Sequence, residues 1–115
     1  MPQTVKAERI VMPAAPSLRA LDRDEIAGLY DRSQALIDQG DIASARLMLT
    51  RAAEAGDARS ALALGTTYDP DVLRKLGVLG LAPDAAQAHA RYTKALALGA
   101  AEATQRLERL AQAVR

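Results

Sequence analysis

One segment of this chain occurs twice. Gly40-Asp41-Ile42-Ala43-Ser44-Ala45, followed by Arg51-Ala52 and Gly56-Asp57, returns 43 positions later as Pro83-Asp84-Ala85-Ala86-Gln87-Ala88, followed by Lys94-Ala95 and Gly99-Ala100. Asp41 maps onto Asp84, Ala45 onto Ala88, Ala52 onto Ala95 and Gly56 onto Gly99. The repeated residues are helix formers punctuated by Asp and Gly, so a period of this size predicts stacked helical hairpins and not one closed globule. The expected fold class is therefore all-α, an α-α superhelix of antiparallel helical hairpins, with two hairpins and a capping helix.

Start and stop signals divide the repeat region into helices. Asp22 is placed to cap a first helix, with Asp24 and Glu25 in its first turn and Ile26, Leu29, Ser33, Leu36 and Ile37 at helical spacing. Gly40 ends it, and Asp41 starts a second helix over 42–55 that turns Ala45, Leu49 and Ala52 inward and leaves Arg46 and Arg51 on its wetter side. Gly56 and Asp57 open a third over 58–67, with Ala61, Leu64, Gly65 and Tyr68 along its inner edge. Pro70 then interrupts the pattern. Residues 72–76 can form one helical turn, and the long connection over 69–83 carries Val72, Leu73, Leu76, Val78 and Leu81, which is too apolar for an open loop and reads as a packed insertion. A fourth helix is expected over 84–98 and a fifth over 101–114, the last with Ala103, Leu107, Leu110 and Val114 on a narrow stripe suited to a closing cap. Leu107 is expected to be buried as Leu64 is. Residues 1–20, with Pro2, Pro13 and Pro16, read as a flexible linker or arm ahead of a domain over 21–115. Arg9-Ile10-Val11-Met12 reads either as part of a disordered tail or as an extended segment able to dock on the domain or on a partner.

Composition narrows what such a stack can do. With three Tyr and neither Trp nor Phe, the core must be Ala and Leu, good material for close helix packing and poor material for a ligand pocket. Fifteen basic and fourteen acidic residues are spread along the chain, leaving no basic stripe for nucleic acid. Absence of Cys removes disulfides, thiolate nucleophiles and thiolate metal sites. No apolar run approaches the roughly 18 residues of a membrane span, so no direct membrane insertion is expected. The N-terminus lacks the basic-then-apolar pattern of a signal peptide. The preference for Arg over Lys points to a GC-rich bacterial source.

The side chains that could carry chemistry do not converge. His89 is the only His and has no carboxylate one helical turn away. Asp69-Pro70-Asp71 lacks the regularly spaced oxygen ligands of a calcium loop and reads as a helix end and turn. Ser33, Ser44 and Ser60 lie in helices, outside the strand-turn-helix setting of a nucleophile elbow. Gly77 and Gly80 have neither the spacing nor the Lys of a phosphate loop. No catalytic, cofactor or metal residue is assigned, and no enzymatic activity is expected.

Three short motifs in order carry a resemblance. Leu64-Gly65-Thr66-Thr67-Tyr68, then Gly77-Val78 through Asp84 to Ala88, then Tyr92-Thr93-Lys94-Ala95 before Gly99, resemble the Leu-Gly-x-x-Tyr, Gly-Val-x-x-Asp-x-x-x-Ala and Tyr-x-Lys-Ala segments of Sel1-like repeats. The preceding hairpin, with Leu29, Ser33, Leu36, Gly40-Asp41, Ala45 and Ala52, is similar to the related tetratricopeptide repeat, and the resemblance covers residues 22–112. Two positions depart from the pattern: three extra residues before Asp84 leave the conformation of that loop open, and Arg32 in place of a Leu marks the first hairpin as a divergent cap. The resemblance implies that Gly65, Ala45, Ala88, Ala52 and Ala95 sit at close helix contacts. It also implies a concave groove that takes an extended or helical segment of another protein. Carried onto this chain, the groove-facing positions are Tyr30, Gln34 and Ile37, then Arg59, Leu62 and Thr66, then Glu102, Gln105 and Arg109, with Arg46 and Arg91 on the opposite face. The implied function is a non-enzymatic interaction or scaffold module; the alternative is a structural or tethering C-terminal domain of a larger envelope-associated bacterial protein. Self-association is expected to be weak at most. The expected location is cytoplasmic if the sequence is a whole protein, and periplasmic if it is a fragment of a longer envelope protein.

Overall fold

A computed structural model describes residues 20–78 and 80–113. They form six α-helices with no strand among the described residues: α1 Arg23–Asp38, α2 Ile42–Glu54, α3 Ala58–Thr66, α4 Pro70–Leu76, α5 Ala85–Ala97 and α6 Ala103–Ala113. The protein is all-α, as the repeat predicts. The expected docking segment over 9–12 and Val114 lie outside the described residues.

Each of the first five helices begins at an Asp whose carboxylate accepts a backbone N–H of the first turn. Asp22 accepts from Glu25 N at 2.8 Å while Glu25 Oε1 accepts from Asp22 N at 3.0 Å, a reciprocal pair that satisfies two otherwise unpaired donors. Asp41, Asp57, Asp69 and Asp84 accept from Ser44, Ser60, Asp71 and Gln87 in the same manner. Helix ends repeat as faithfully. Gly56 (φ 95°) and Gly99 (φ 111°) adopt the left-handed conformation open to a residue without Cβ. There the chain folds back, so that Asp57 N donates to Ala52 O at 3.2 Å and Ala100 N to Ala95 O at 2.9 Å. The 43-residue period is thus present in the hydrogen bonds as well as in the letters.

The repeat fails at one letter, with structural effect. Ala100 stands where Asp57 stands in the first copy, so α6 has no carboxylate cap. It opens through tight turns, Ala103 N donating to Ala100 O and Thr104 N to Ala101 O, and starts at Ala103, two positions late relative to α3. Burial along α6 also departs from that along α3. Ala103 and Leu110 are buried, whereas Leu107, expected to match the fully buried Leu64, is only half-buried.

Packing follows chain order: α1 lies against α2, α2 against α3, α3 against α5 and α5 against α6. Helices joined by three residues and packed along their length must run in opposite directions, as α1–α2 and α2–α3 do. The interior is Ala and Leu, with Ala45, Leu49, Ala52, Ala61, Leu64, Ala88 and Ala95 all closed to solvent. Tyr92 is the single aromatic ring in it. This ring lies against Gly65 so closely that a Cβ there would fall 2.5 Å from its Cδ1 and Cε1. α3 and α5 can approach this far because position 65 has no side chain.

The connection over 69–83 is a packed insertion in part. Its helix α4 buries Leu73, and Asp84 N donates to Tyr68 O at 2.9 Å, closing the excursion at its base. Leu76, expected to be packed, is instead 49% exposed. α4 hides Leu73 against the stack, while Leu76, its last residue, stands at the exposed end of the helix.

Arg46, expected on the wet side of α2, is tied into the fold. Its Nε donates to Thr67 Oγ1 at 3.1 Å, its Nη2 donates to the Thr67 carbonyl, and its guanidinium lies 3.8 Å from the centre of the Tyr68 ring. That clamp joins α2 to the last turn of α3 and leaves only Arg51 of the pair exposed.

Candidate binding groove

On α1, residues 30, 34 and 37 recur at i, i+4 and i+7 and therefore share a face; on α3, residues 59, 62 and 66, at i, i+3 and i+7, share one too. The two faces meet. Tyr30, Gln34 and Ile37 of α1 and Arg59, Leu62, Ala63 and Thr66 of α3 line one concavity of about 480 Å³. Val72 and Leu76 of α4 form a third wall, and Glu102 and Arg106 close one end. Ile37 and Leu76 also line an adjoining concavity of about 500 Å³ that runs on past Asp38, Gly77 and Val78. The groove therefore has an apolar floor, charged groups at both ends, and a length that extends beyond α4.

Polar side chains in it are largely held by the protein itself. The Arg59 guanidinium stacks 3.7 Å from the centre of the Tyr30 ring, bridging α1 and α3 at the groove mouth and fixing both side chains. Thr66 Oγ1 donates to Ala63 O at 2.6 Å, and Ser33 Oγ, beneath Gln34, donates to Tyr30 O at 2.6 Å. Glu102 and Arg106 pair at 3.9 Å. What remains uncommitted is the apolar surface of Ile37, Leu62, Val72 and Leu76, of which Leu76 is the most exposed. Leu62 also packs against the core.

Seven of the nine sequence-predicted positions, Glu102 among them, lie in this groove, and Gln105 and Arg109 do not. Arg109 lines a separate cleft of about 290 Å³ with Asp69, Asp71, Arg106 and Leu110. Gln105 is exposed away from both. Glu102 and Arg106, the repeat equivalents of the groove-lining Arg59 and Ala63, face the groove, whereas Gln105 and Arg109, the equivalents of Leu62 and Thr66, do not. Val72, Leu76 and Arg106 were missed by sequence spacing. The i, i+4 pair Val72 and Leu76 was visible, but only a full helix at 70–76 places it on a wall.

Behind the groove the Tyr92 hydroxyl donates to Asp69 Oδ2 at 2.6 Å in the interior. Burial, and then the hydrogen bond to the Asp69 carboxylate, push the Tyr92 hydroxyl far above its ordinary range. Asp69 is thereby bound twice, to Tyr92 and to the first turn of α4. Outside it, Asp71 is held below the usual carboxylate range by its hydrogen bond to Lys75 at 3.1 Å, with Arg74 paired to it as well. These contacts anchor α4 and do not assemble a reactive centre.

Among the described residues no three or more His, Asp or Glu gather as a metal site, and no helix is long and apolar enough to cross a membrane. His89 is exposed on α5. On the face away from the groove, Arg91 has its Nε buried without a protein partner, in a small cleft with Thr50, Glu54 and Lys94. Compared with protein-family models, with curated proteins and with solved structures, the chain matches none.

Proposed function

We propose that this chain is a Sel1-like or tetratricopeptide-related helical module, a short superhelix of hairpins α1–α2 and α3–α5 closed by α6, which binds a segment of another protein in the groove and carries out no chemistry. The observation that supports this reading is the convergence of Tyr30, Gln34 and Ile37 with Arg59, Leu62 and Thr66 on one concavity. In a stack of hairpins, the first helix of each presents the same face inward, so a continuous binding surface arises from short repeats. An apolar floor supplies affinity by excluding water from Ile37, Val72 and Leu76, and the charged ends set direction. Tyr and Arg are the residue types most often found at binding hot spots, and the stacked Tyr30–Arg59 pair is ordered before a partner arrives.

Display of a random peptide library against the full chain tests the reading. Arg59→Glu with Leu76→Glu alters exposed groove side chains without cutting into the core, whereas Leu62→Glu would disturb both. Selected peptides should bind this double variant more weakly by roughly 30-fold or more, the equivalent of one hot spot at about 2 kcal/mol. They should bind a control carrying Leu47→Glu and Arg51→Glu, on exposed α2, as they bind the parent. Arg46 and Arg91 are unsuitable controls, one being a structural clamp and the other enclosed. Loss in the control with retention in the groove variant would move the interface to the other face.

A further inference from the structure

On the face away from the groove, side chains of α2, α3 and α5 line a cleft of about 150 Å³. Its floor is apolar, made of the buried Ala53, Ala61 and Leu64, and its rim is polar, made of Thr50, Glu54, Arg91 and Lys94. Glu54 and Lys94 are exposed, and Thr50 and Arg91 are half-buried. Thr50 spends its hydroxyl proton on Arg46 O at 2.7 Å, which leaves the two cations as the donors of the cleft. Among the described residues neither cation forms an ion pair, with Glu54 or with any other carboxylate. The Nε–H of Arg91 is closed to solvent and has no acceptor. A buried donor left unpaired is costly, and the fold does not require a cation at this place: 43 positions earlier the repeat puts Met48 there, also half-buried.

We propose that this cleft binds a small monoanionic organic acid, a carboxylate on a short hydrocarbon of about four carbons. The cleft offers the space of about five waters at roughly 30 Å³ each, enough for such a molecule. Charge fixes the class: Arg91 and Lys94 against Glu54 leave one net positive charge, which a single carboxylate neutralises. Depth fixes the orientation. The hydrocarbon enters first, onto Ala53, Ala61 and Leu64, and the carboxylate stays at the rim between Arg91 and Lys94. There a small turn of the guanidinium brings one carboxylate oxygen to Nε and the other to an Nη, a two-pronged pair that gives the buried donor its acceptor. An Asp or Glu side chain of another protein arrives carboxylate first, the wrong way round for an apolar floor, and an ammonium compound meets two like charges. The site lies apart from the groove, so neither reading depends on the other.

Titration of the full chain with sodium butanoate at constant ionic strength, followed by NMR at the Arg91 Nε–H and the methyls of Ala61 and Leu64, tests the assignment. These signals should shift saturably, with a dissociation constant on the order of millimolar, while the groove methyls of Ile37 and Leu76 stay in place. Affinity should rise roughly fourfold for each methylene added from acetate to butanoate. The neutral butanamide should bind at least about tenfold more weakly than butanoate. Arg91→Met, which installs the residue of the first copy, should weaken binding by about tenfold or more. Glu54→Gln, a change at an exposed position that keeps the test open if Arg91→Met fails to fold, should tighten it about twofold to fivefold. Glutamate capped as its N-acetyl methylamide should bind no better than acetate, and tighter binding would make the cleft a socket for a protein side chain and overturn the small-acid assignment. Equal binding of butanamide, unchanged affinity in Arg91→Met, no tightening in Glu54→Gln, or non-saturating shifts shared with the groove methyls would each overturn the site.

Discussion

At the scale of single residues, the contact between Gly65 and Tyr92 sets the spacing of α3 and α5. The ring has nowhere to go, because it is closed to solvent and its hydroxyl is held by Asp69. Gly65→Ala should therefore destabilise the protein by about 1–3 kcal/mol in a urea melt, although Ala is the better helix former by about 1 kcal/mol. A higher melting temperature would refute the close approach. Tyr92→Phe leaves the ring in place but takes the donor from a buried carboxylate, at a cost of about 1–3 kcal/mol. The same pair gives a pH signature. A hydroxyl held protonated in the fold keeps its full stabilisation below the unfolded value of 10.0 and loses it as pH rises beyond that, by about 1.4 kcal/mol per pH unit. Denaturant melts between pH 9 and 11 should show this decline in the parent and not in Tyr92→Phe. Arg46→Ala, which removes two hydrogen bonds and a ring contact, should cost about 1–3 kcal/mol, and Arg46→Lys should not restore it, since an ammonium cannot reproduce the two-pronged contact with Thr67.

At the scale of elements, the helices that sequence made legible are those bounded by Asp and Gly, because such residues act locally: a carboxylate on the next turn's N–H, a left-handed residue at the end. Groove positions on α1 and α3 were legible for the same reason, since regular spacing on two well-bounded helices fixes their faces. What could not be read depended on neighbours. The late start of α6 follows from one missing cap at Ala100, the engagement of Arg46 from the Thr67 carbonyl it meets at the end of α3, and the role of α4 from how far one short helix reaches across the stack. α4 offers a clean check of that last point. Leu73→Ala should cost about 2–5 kcal/mol, whereas Leu76→Ala should fall within about 0.5 kcal/mol of the parent, and equal losses would mean that the helix is turned differently.

At the scale of the whole molecule, packing proceeds from each helix to the next, so opening need not be all-or-none. α6 contacts the stack through α5, has no side-chain cap and buries a narrow stripe, whereas α3 and α5 face each other across the buried Tyr92. Amide hydrogen exchange should be slowest in α3 and α5 and markedly faster in α6; equal protection of α6 would show a single cooperative unit. The bond from Asp84 N to Tyr68 O has its own consequence at this scale. The chain leaves the stack and re-enters it through one doorway, and the stretch between can lengthen, shorten or be exchanged while α3 and α5 stay seated. Because that stretch supplies Val72 and Leu76, a descendant of this sequence could change what it holds by rewriting a dozen or so residues, and inherit the rest of the scaffold as it stands.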